Sequence, residues 1–377
     1  MKKLFKNLQD IIILLLMITF IFIITIGTMR DNKIKKELVI ASDKYTAEQL
    51  KEEKRIAGLN FYQDLKEHRN INALIIGDSI SQGDRSDTVE GKWFNKLKTD
   101  IKSKYNSNID FDLISGGSTT SVRGWVELNQ ASLTEKYDIA FICFGQNDQA
   151  DVTPEQFKIF YESIINKVKK LDPNIEIIPI IESSLRNYNA YSNIIVDLSN
   201  HYGFQYADTI QAFNASGQPY TTLSKDGIHP NDKGYAYYES TIEQIIDKNY
   251  TANKQTNAIP NVLYVDTNKL NFNFNSSPEN NGFSNNNGFV GSAIGNSLIF
   301  NTSSNTAIIH FMRQPNGGKF KIYVDGNLIK EIDTNLSFNV SYSNIVFDNL
   351  QGQHKVKIEI SSLPNNGAVK ILGLATN

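Results

Sequence analysis

The chain has 377 residues, enough for two folded domains and an additional segment. Its 38 Lys and Arg stand against 40 Asp and Glu, and the net charge of −2 gives no reason to expect nucleic acid as a partner. The single cysteine, Cys143, excludes a disulfide framework and a cysteine metal site, and the five histidines form no metal-like pair on a helix face.

At the N-terminus, Lys2, Lys3 and Lys6 precede an uncharged, almost wholly apolar run from Ile11 to Thr28. As a helix this run spans about 27 Å, close to the thickness of a bilayer core. A cleaved signal peptide has a shorter apolar region and a small-residue cleavage site, whereas this run ends Ile26-Gly27-Thr28-Met29-Arg30. Residues 1–29 are therefore expected to be a tail and an uncleaved transmembrane anchor. No cysteine follows closely, which excludes a lipid-anchored form. Arg30, Lys33, Lys35 and Lys36 nearly match the basic residues before the run. Orientation then rests on the short tail and the large globule, which favour a globule outside the cell, on a bacterial surface.

Residues 30–69 are rich in Lys and Glu and are expected to be a helical stalk or linker, with helix from Tyr45 through Leu65. From Asn70 short apolar runs alternate with amphipathic stretches. Strands are expected at Ala73–Ile76, Phe111–Ile114, Tyr137–Phe144 and Glu176–Ile181. Helices are expected at Gly91–Tyr105, from Thr153 (the cap before Pro154), at Tyr191–His201 and at Asn231–Lys248. Cys143 falls within the third strand and reads as a buried small hydrophobe. This alternation predicts an α/β domain over residues 70–250, with a parallel sheet covered on both faces.

Residues 258–377 show no helical pattern, only alternating runs broken by Asn, Gly and Ser. The clearest piece, Gly318 to Ile332, is a hairpin with an Asp325-Gly326 turn and Phe320, Ile322 and Val324 on one face. Similar strands fit Thr306–Met312, Ser337–Ser341, His354–Ile360 and Ala368–Leu374. A β-sandwich or jelly roll of about eight strands is predicted, with Asn271–Asn287 as a long loop.

Four short segments carry the chemistry: Gly77-Asp78-Ser79-Ile80, Ser115-Gly116-Gly117-Ser118, Gly145-Gln146-Asn147-Asp148 and Asp226-Gly227-Ile228-His229. Ser79 follows a buried strand where the chain turns, which leaves its hydroxyl at the carboxyl edge of the sheet. Asp226 and His229, three apart on a tight turn, can point the same way, with the carboxylate orienting the ring and the ring reaching a serine. The Asn147 amide is a candidate hydrogen-bond donor to an oxyanion. Taken singly, each segment is equally well a helix cap or a turn. Trp125 and Arg123 are candidate pocket residues, against the blander alternatives of a core tryptophan and a solvated arginine.

In this order the four segments resemble those of the SGNH hydrolases, the GDSL esterase/lipase superfamily, over roughly residues 70–248. The resemblance extends to Pro-Asn-Asp-Lys-Gly-Tyr235 after the histidine and implies a three-layer, flavodoxin-like fold. It implies Ser79 as nucleophile, His229 as base and Asp226 as its orienting partner. The oxyanion donors would be the Ser79 N–H, Gly117 and Asn147. The second segment departs from the family, with Ser115 where an asparagine often stands, and Gly116 competes with Gly117 for the donor role. Neither a metal nor an organic cofactor is expected.

The function expected is a serine esterase removing a small acyl group, acetyl, from a polysaccharide or other carbohydrate ester. An O-acetyltransferase using the same acyl-enzyme is one alternative. A surface glycan-binding protein acting through the sandwich is another. All four segments precede Lys248, so the sandwich is expected either to tether polymer while sparing the chemistry or to stabilise the α/β domain.

Overall fold

A single helix of 56 residues, α1 (Lys2–Ala57), opens the computed structural model, about 84 Å long at the usual rise. The structure describes residues 2–133, 136–256, 259–265 and 271–377; Met1 and the Ala258 boundary expected for the sandwich lie outside them. Among the described residues α1 is the one helix long and apolar enough to cross a membrane.

The helix expected across Tyr45–Leu65 is two helices. α1 ends at Ala57, and Asn60 then caps α2 (Phe61–Lys66) reciprocally with Gln63. Phe61 and Leu65 of α2 are wholly buried, so a second compact unit, Asn60–Asn377, begins here.

That unit opens with five parallel strands, β1 (Ile71–Gly77), β2 (Ile109–Ser115), β3 (Ile139–Cys143), β4 (Glu176–Ile181) and β5 (Ala207–Asp208). Their order, β2-β1-β3-β4-β5, is flavodoxin-like. The pleat sends alternate side chains to opposite faces. Leu74 and Ile76 of β1 join one core with α4 (Ser121–Gln130), α6 (Pro154–Leu171) and α7 (Ala190–Tyr202), whereas Ala73 and Ile75 join another. The second core is closed by α2, α3 (Trp93–Tyr105) and α10 (Asp232–Thr251). Short helices α5 (Asp148–Asp151), α8 (Thr209–Ala215) and α9 (Tyr220–Leu223) fill the connections. Sequence pattern misses β5, which has two residues, and α4, whose Arg, Gly and Glu mask its buried face.

The C-terminal strands are β6 (Asn273–Asn275), β7 (Glu279–Asn281), β8 (Ser284–Asn285), β9 (Phe289–Gly291), β10 (Ser297–Thr302), β11 (Ala307–Arg313), β12 (Lys319–Val324), β13 (Asn327–Asp333), β14 (Val340–Phe347), β15 (His354–Ser362) and β16 (Val369–Thr376). They pair antiparallel in two sheets, β13-β12-β15-β10-β7 and β14-β11-β16-β9-β8, with β6 added beside β16. The Asn271–Asn287 loop is thus corrected: β6, β7 and β8 lie in it, held by backbone pairing that polar side chains do not advertise. The expected hairpin turn is present, with Asp325 and Gly326 both left-handed (φ +51° and +86°), as a two-residue hairpin loop requires. Phe320, Ile322 and Val324 face the inter-sheet core.

The sandwich shares a core with the α/β part. Ile308 and Ala375 are buried in the same cluster as α4 and α6, and the Trp125 and Phe272 rings meet edge to face at 5.1 Å. The wholly buried Glu162 on α6 accepts N–H bonds from Leu263, Tyr264 and Val265 (2.5, 2.7 and 2.8 Å) and a hydroxyl bond from Tyr202 (2.7 Å).

On the other face Glu239 of α10 lies against Asp100 of α3. Burial, and then hydrogen bonding to Asp100, push its carboxyl up from 4.5 to about 8. A carboxyl raised on folding lends its stability in full below the unfolded value of 4.5 and loses it as pH rises through about 8. The thermal midpoint is therefore expected to fall more between about pH 5 and pH 9 in the wild type than in Glu239→Gln. Melts with equal slopes in the two proteins would remove Glu239 as the titrating group.

Candidate active site

Three loops meet at the carboxyl edge of the sheet because three strands end in register. Gly77 closes β1 opposite Ser115 of β2 and Cys143 of β3, so Asp78-Ser79, Gly116-Gly117 and Phe144–Asn147 leave side by side. β1 and β3 flank the point where strand order reverses, the usual ligand crevice of such sheets. Gly77 is required there, since a Cβ would stand 2.5 Å from both the Cys143 carbonyl and the Ser81 hydroxyl oxygen.

The Asp226–His229 turn completes the site from a distant part of the chain. His229 Nε2 lies 2.9 Å from Ser79 Oγ, and His229 Nδ1 lies 2.7 Å from Asp226 Oδ2. Asp226 Oδ1 accepts the N–H groups of Ile228 and His229 at 2.9 and 2.8 Å, which folds the turn so that carboxylate and ring face each other. Burial pushes the Asp226 carboxyl up, but the bonds from the His229 ring and the two N–H groups outweigh it and hold it down at about 2. Asp226 is thus held in its ionised form at neutral pH. Asn231 caps α10 through the N–H groups of Lys233 and Gly234, fixing the exit from the turn.

Asn147 Nδ2 donates to Asp78 Oδ2 (2.9 Å) and to the Thr119 carbonyl (3.2 Å), so the third loop is tied to the first two. Asp148 beside it accepts from the N–H and hydroxyl of Ser121 (2.9 and 2.6 Å), which holds the start of α4. Gly116 presents its carbonyl to Thr119 and Gly117 presents its carbonyl to Arg123.

Two groups here have no role in the motif reading, although Asp78 lies within the first motif. Asp78 accepts the N–H groups of Ile80 and Ser81, and it shares a hydrogen bond with the wholly buried Glu182. Burial pushes the Asp78 carboxyl up to about 6, and burial with the neighbouring Asp78 charge drives the Glu182 carboxyl well up, so the pair shares one proton. Glu182 also accepts the Gln146 N–H at 2.7 Å, which braces the loop bearing Asn147. A carboxyl directly after the apolar run Ile177–Ile181 is the sequence signal for it. The expectation of a solvated Arg123 is overturned: its side chain is buried and bonded to Glu127, while Trp125 is core against Phe160 and Phe272.

Residues 75–237 match the GDSL-like lipase/acylhydrolase family. That match covers the α/β part and less than half of the chain. This α/β part is a GDSL/SGNH-type serine ester hydrolase domain. Among solved structures, the GDSL chain is similar to a two-domain esterase active on acetylated mannans, co-crystallised with mannopentaose. Identity is 19%, with 83% of this chain and 92% of that one covered and a TM-score of 0.70. A second structure of a two-domain esterase active on acetylated mannans gives 19%, 83%, 93% and 0.68. At this identity the likeness is one of fold, and it spans the α/β part together with the C-terminal sheets. Among curated proteins no sequence matches the chain.

Beside the His229 turn lies a cavity of about 420 Å³ walled by Arg186, Phe213, Gln218 and Tyr220. Arg186 stacks its guanidinium on the Tyr220 ring and donates to the Gly227 carbonyl within the turn at 2.9 Å.

Proposed function

We propose that this GDSL enzyme removes acetyl groups from a polysaccharide or other carbohydrate ester through an acyl-enzyme on Ser79. The observation that carries the proposal is the unbroken Ser79–His229–Asp226 hydrogen-bond chain of 2.9 and 2.7 Å at the sheet edge. Ser79 Oγ attacks the ester carbonyl as His229 Nε2 takes its proton, and the tetrahedral oxyanion forms. Collapse expels the alcohol, which receives that proton from His229. Water then attacks the acyl-enzyme, His229 takes its proton and returns it to Ser79, and acetate leaves. Asp226 holds the ring tautomer and stabilises its cation.

The Ser79 N–H, Gly117 and Asn147 are the proposed oxyanion donors. Both Asn147 amide hydrogens are engaged in the resting site. The 3.2 Å bond to Thr119 is the weaker, and it is the one the oxyanion would share or replace.

Solvent access favours hydrolysis over acetyl transfer to a second sugar. The His229 side chain is 22% exposed and that of Asp226 39%, so water reaches the base directly. The Arg186–Tyr220 cavity supplies an aromatic and polar wall for a sugar. The test is to incubate the enzyme with acetylated mannan and xylan, with and without acceptor sugars, and follow the acetyl group. Release as free acetate supports the proposal; quantitative transfer to the acceptor would replace it with the acetyltransferase.

The α1 helix is proposed to anchor the enzyme at a cell surface with the globular unit outside. The full chain is expected to stay with membranes through a carbonate wash, and protease added to intact cells should digest the globular unit. Complete protection until lysis would reverse this topology.

A further inference from the structure

The Arg123 guanidinium joins the oxyanion loop to the β-sandwich. Nη1 donates to the Gly117 carbonyl at 3.0 Å, and Nε donates to Glu127 Oε1 at 2.8 Å. The same Glu127 oxygen accepts from the Ser341 hydroxyl on β14 at 2.7 Å. Arg123 is only 7% exposed, and its Nη2 would stand 3.1 Å from a Cβ at Gly116, so the side chain is packed directly against the loop.

Two contacts, from Thr119 and from Arg123, decide which way the loop amides point. In a trans peptide the C=O and the following N–H are antiparallel. The Gly116 carbonyl is taken by the Thr119 N–H and hydroxyl (3.3 and 2.7 Å), so the Gly117 N–H points away from Thr119. The Gly117 carbonyl is taken by Arg123, so the Ser118 N–H points away from Arg123. Ser118 is left-handed (φ +56°), and successive N–H groups around such a residue form a concave cradle for negative charge.

We propose that Arg123 is a positioning residue, braced by Glu127 and by Ser341 of the sandwich, that aims the Ser118 amide at the oxyanion and holds the loop whose Gly117 amide Thr119 orients. The inference rests on the Ser79 acyl-enzyme reading. It favours Gly117 over Gly116 as donor, adds Ser118, and gives the sandwich a part in turnover of even a small ester.

The experiment compares kcat and KM for an aryl acetate in the full chain and in Arg123→Ala, Arg123→Lys, Ser341→Ala and Ser79→Ala. Active sites are counted by titration with an aryl phosphonate. Losing a whole oxyanion donor costs ~10²–10³ in rate, so misaiming one in Arg123→Ala is expected to lower kcat per active site by ~10–10². KM should change by less than about threefold, because the donors act on charge that appears only in the transition state. Arg123→Lys should recover part of the loss, since an ammonium can reach the carbonyl but cannot also hold Glu127 in the same fork. Ser341→Ala should cost about two- to fivefold in kcat and keeps the test open if Arg123→Ala fails to fold. A lowered melting temperature with unchanged kcat per titrated site in Ser341→Ala and Arg123→Lys would show a merely structural role and overturn the proposal. Full activity in Ser79→Ala would overturn the serine reading and this inference with it, whereas an inactive Ser79→Ala beside unchanged kcat in the other variants would overturn the inference alone.

Discussion

Ser79→Ala is expected to abolish turnover of a short-chain aryl ester, a loss on the order of 10⁴–10⁶ in kcat. The proposed mechanism has no second nucleophile in reach of His229, whose Nε2 is committed to Ser79 Oγ. Residual rate would come from oxyanion donors and substrate binding acting on water alone. Asn147→Ala is expected to cost less, ~10²–10³, because it removes one donor and leaves the serine chemistry in place. Its stability cost should be modest, since Asp78 keeps the N–H bonds of Ile80 and Ser81 and its bond with Glu182. Steady-state kinetics on both variants, with melts to confirm folding, make the comparison. An Ser79→Ala enzyme that retained more than a few per cent of wild-type kcat would sink the assignment.

Glu162→Ala is expected to lower the unfolding free energy by about 3–5 kcal/mol, the range typical of breaking a buried, multiply bonded charge. Its carboxylate is the shared acceptor for three consecutive N–H groups at residues 263–265, and all three lose that bond together when it is gone. Cutting the chain after Thr256 should likewise lower the melting midpoint, because it uncovers Trp125 and the Ile308–Ala375 side of the α/β core. Small-ester turnover should fall with it, through the lost Ser341 contact to Glu127. A sandwich that only tethered polymer would leave both quantities unchanged in the truncated protein. Denaturant melts of Glu162→Ala within about 1 kcal/mol of wild type would show that the segment is not held in this way.

The candidate site was legible in sequence because it depends on residue identity at strand ends. Buried β-branched runs such as Ala73–Ile76 and Glu176–Ile181 mark where parallel strands stop, and small, polar, turn-forming residues directly after them mark the functional edge. Asp226 and His229 were equally legible, since a local turn with the carboxylate accepting its own backbone N–H groups sets their geometry. The hairpin at Asp325-Gly326 belongs to the same class, being decided by left-handed backbone preference over two residues.

Only the tertiary structure decided what depends on contacts between distant segments. Glu182 is 104 residues from Asp78, and nothing local marks the pair as sharing a proton; burial and mutual repulsion do that. Arg123 looks solvated in sequence because charge is usually exposed, yet Glu127 and the Gly117 carbonyl satisfy it in the interior. The strands between Asn271 and Asn287 have no apolar alternation, and they exist because the neighbouring strands β9, β10 and β16 offer open backbone donors and acceptors. The bond between the sandwich and the α/β core is of the same kind. A buried carboxylate on α6 and a tryptophan on α4 find their partners more than a hundred residues later, and only packing brings such groups together.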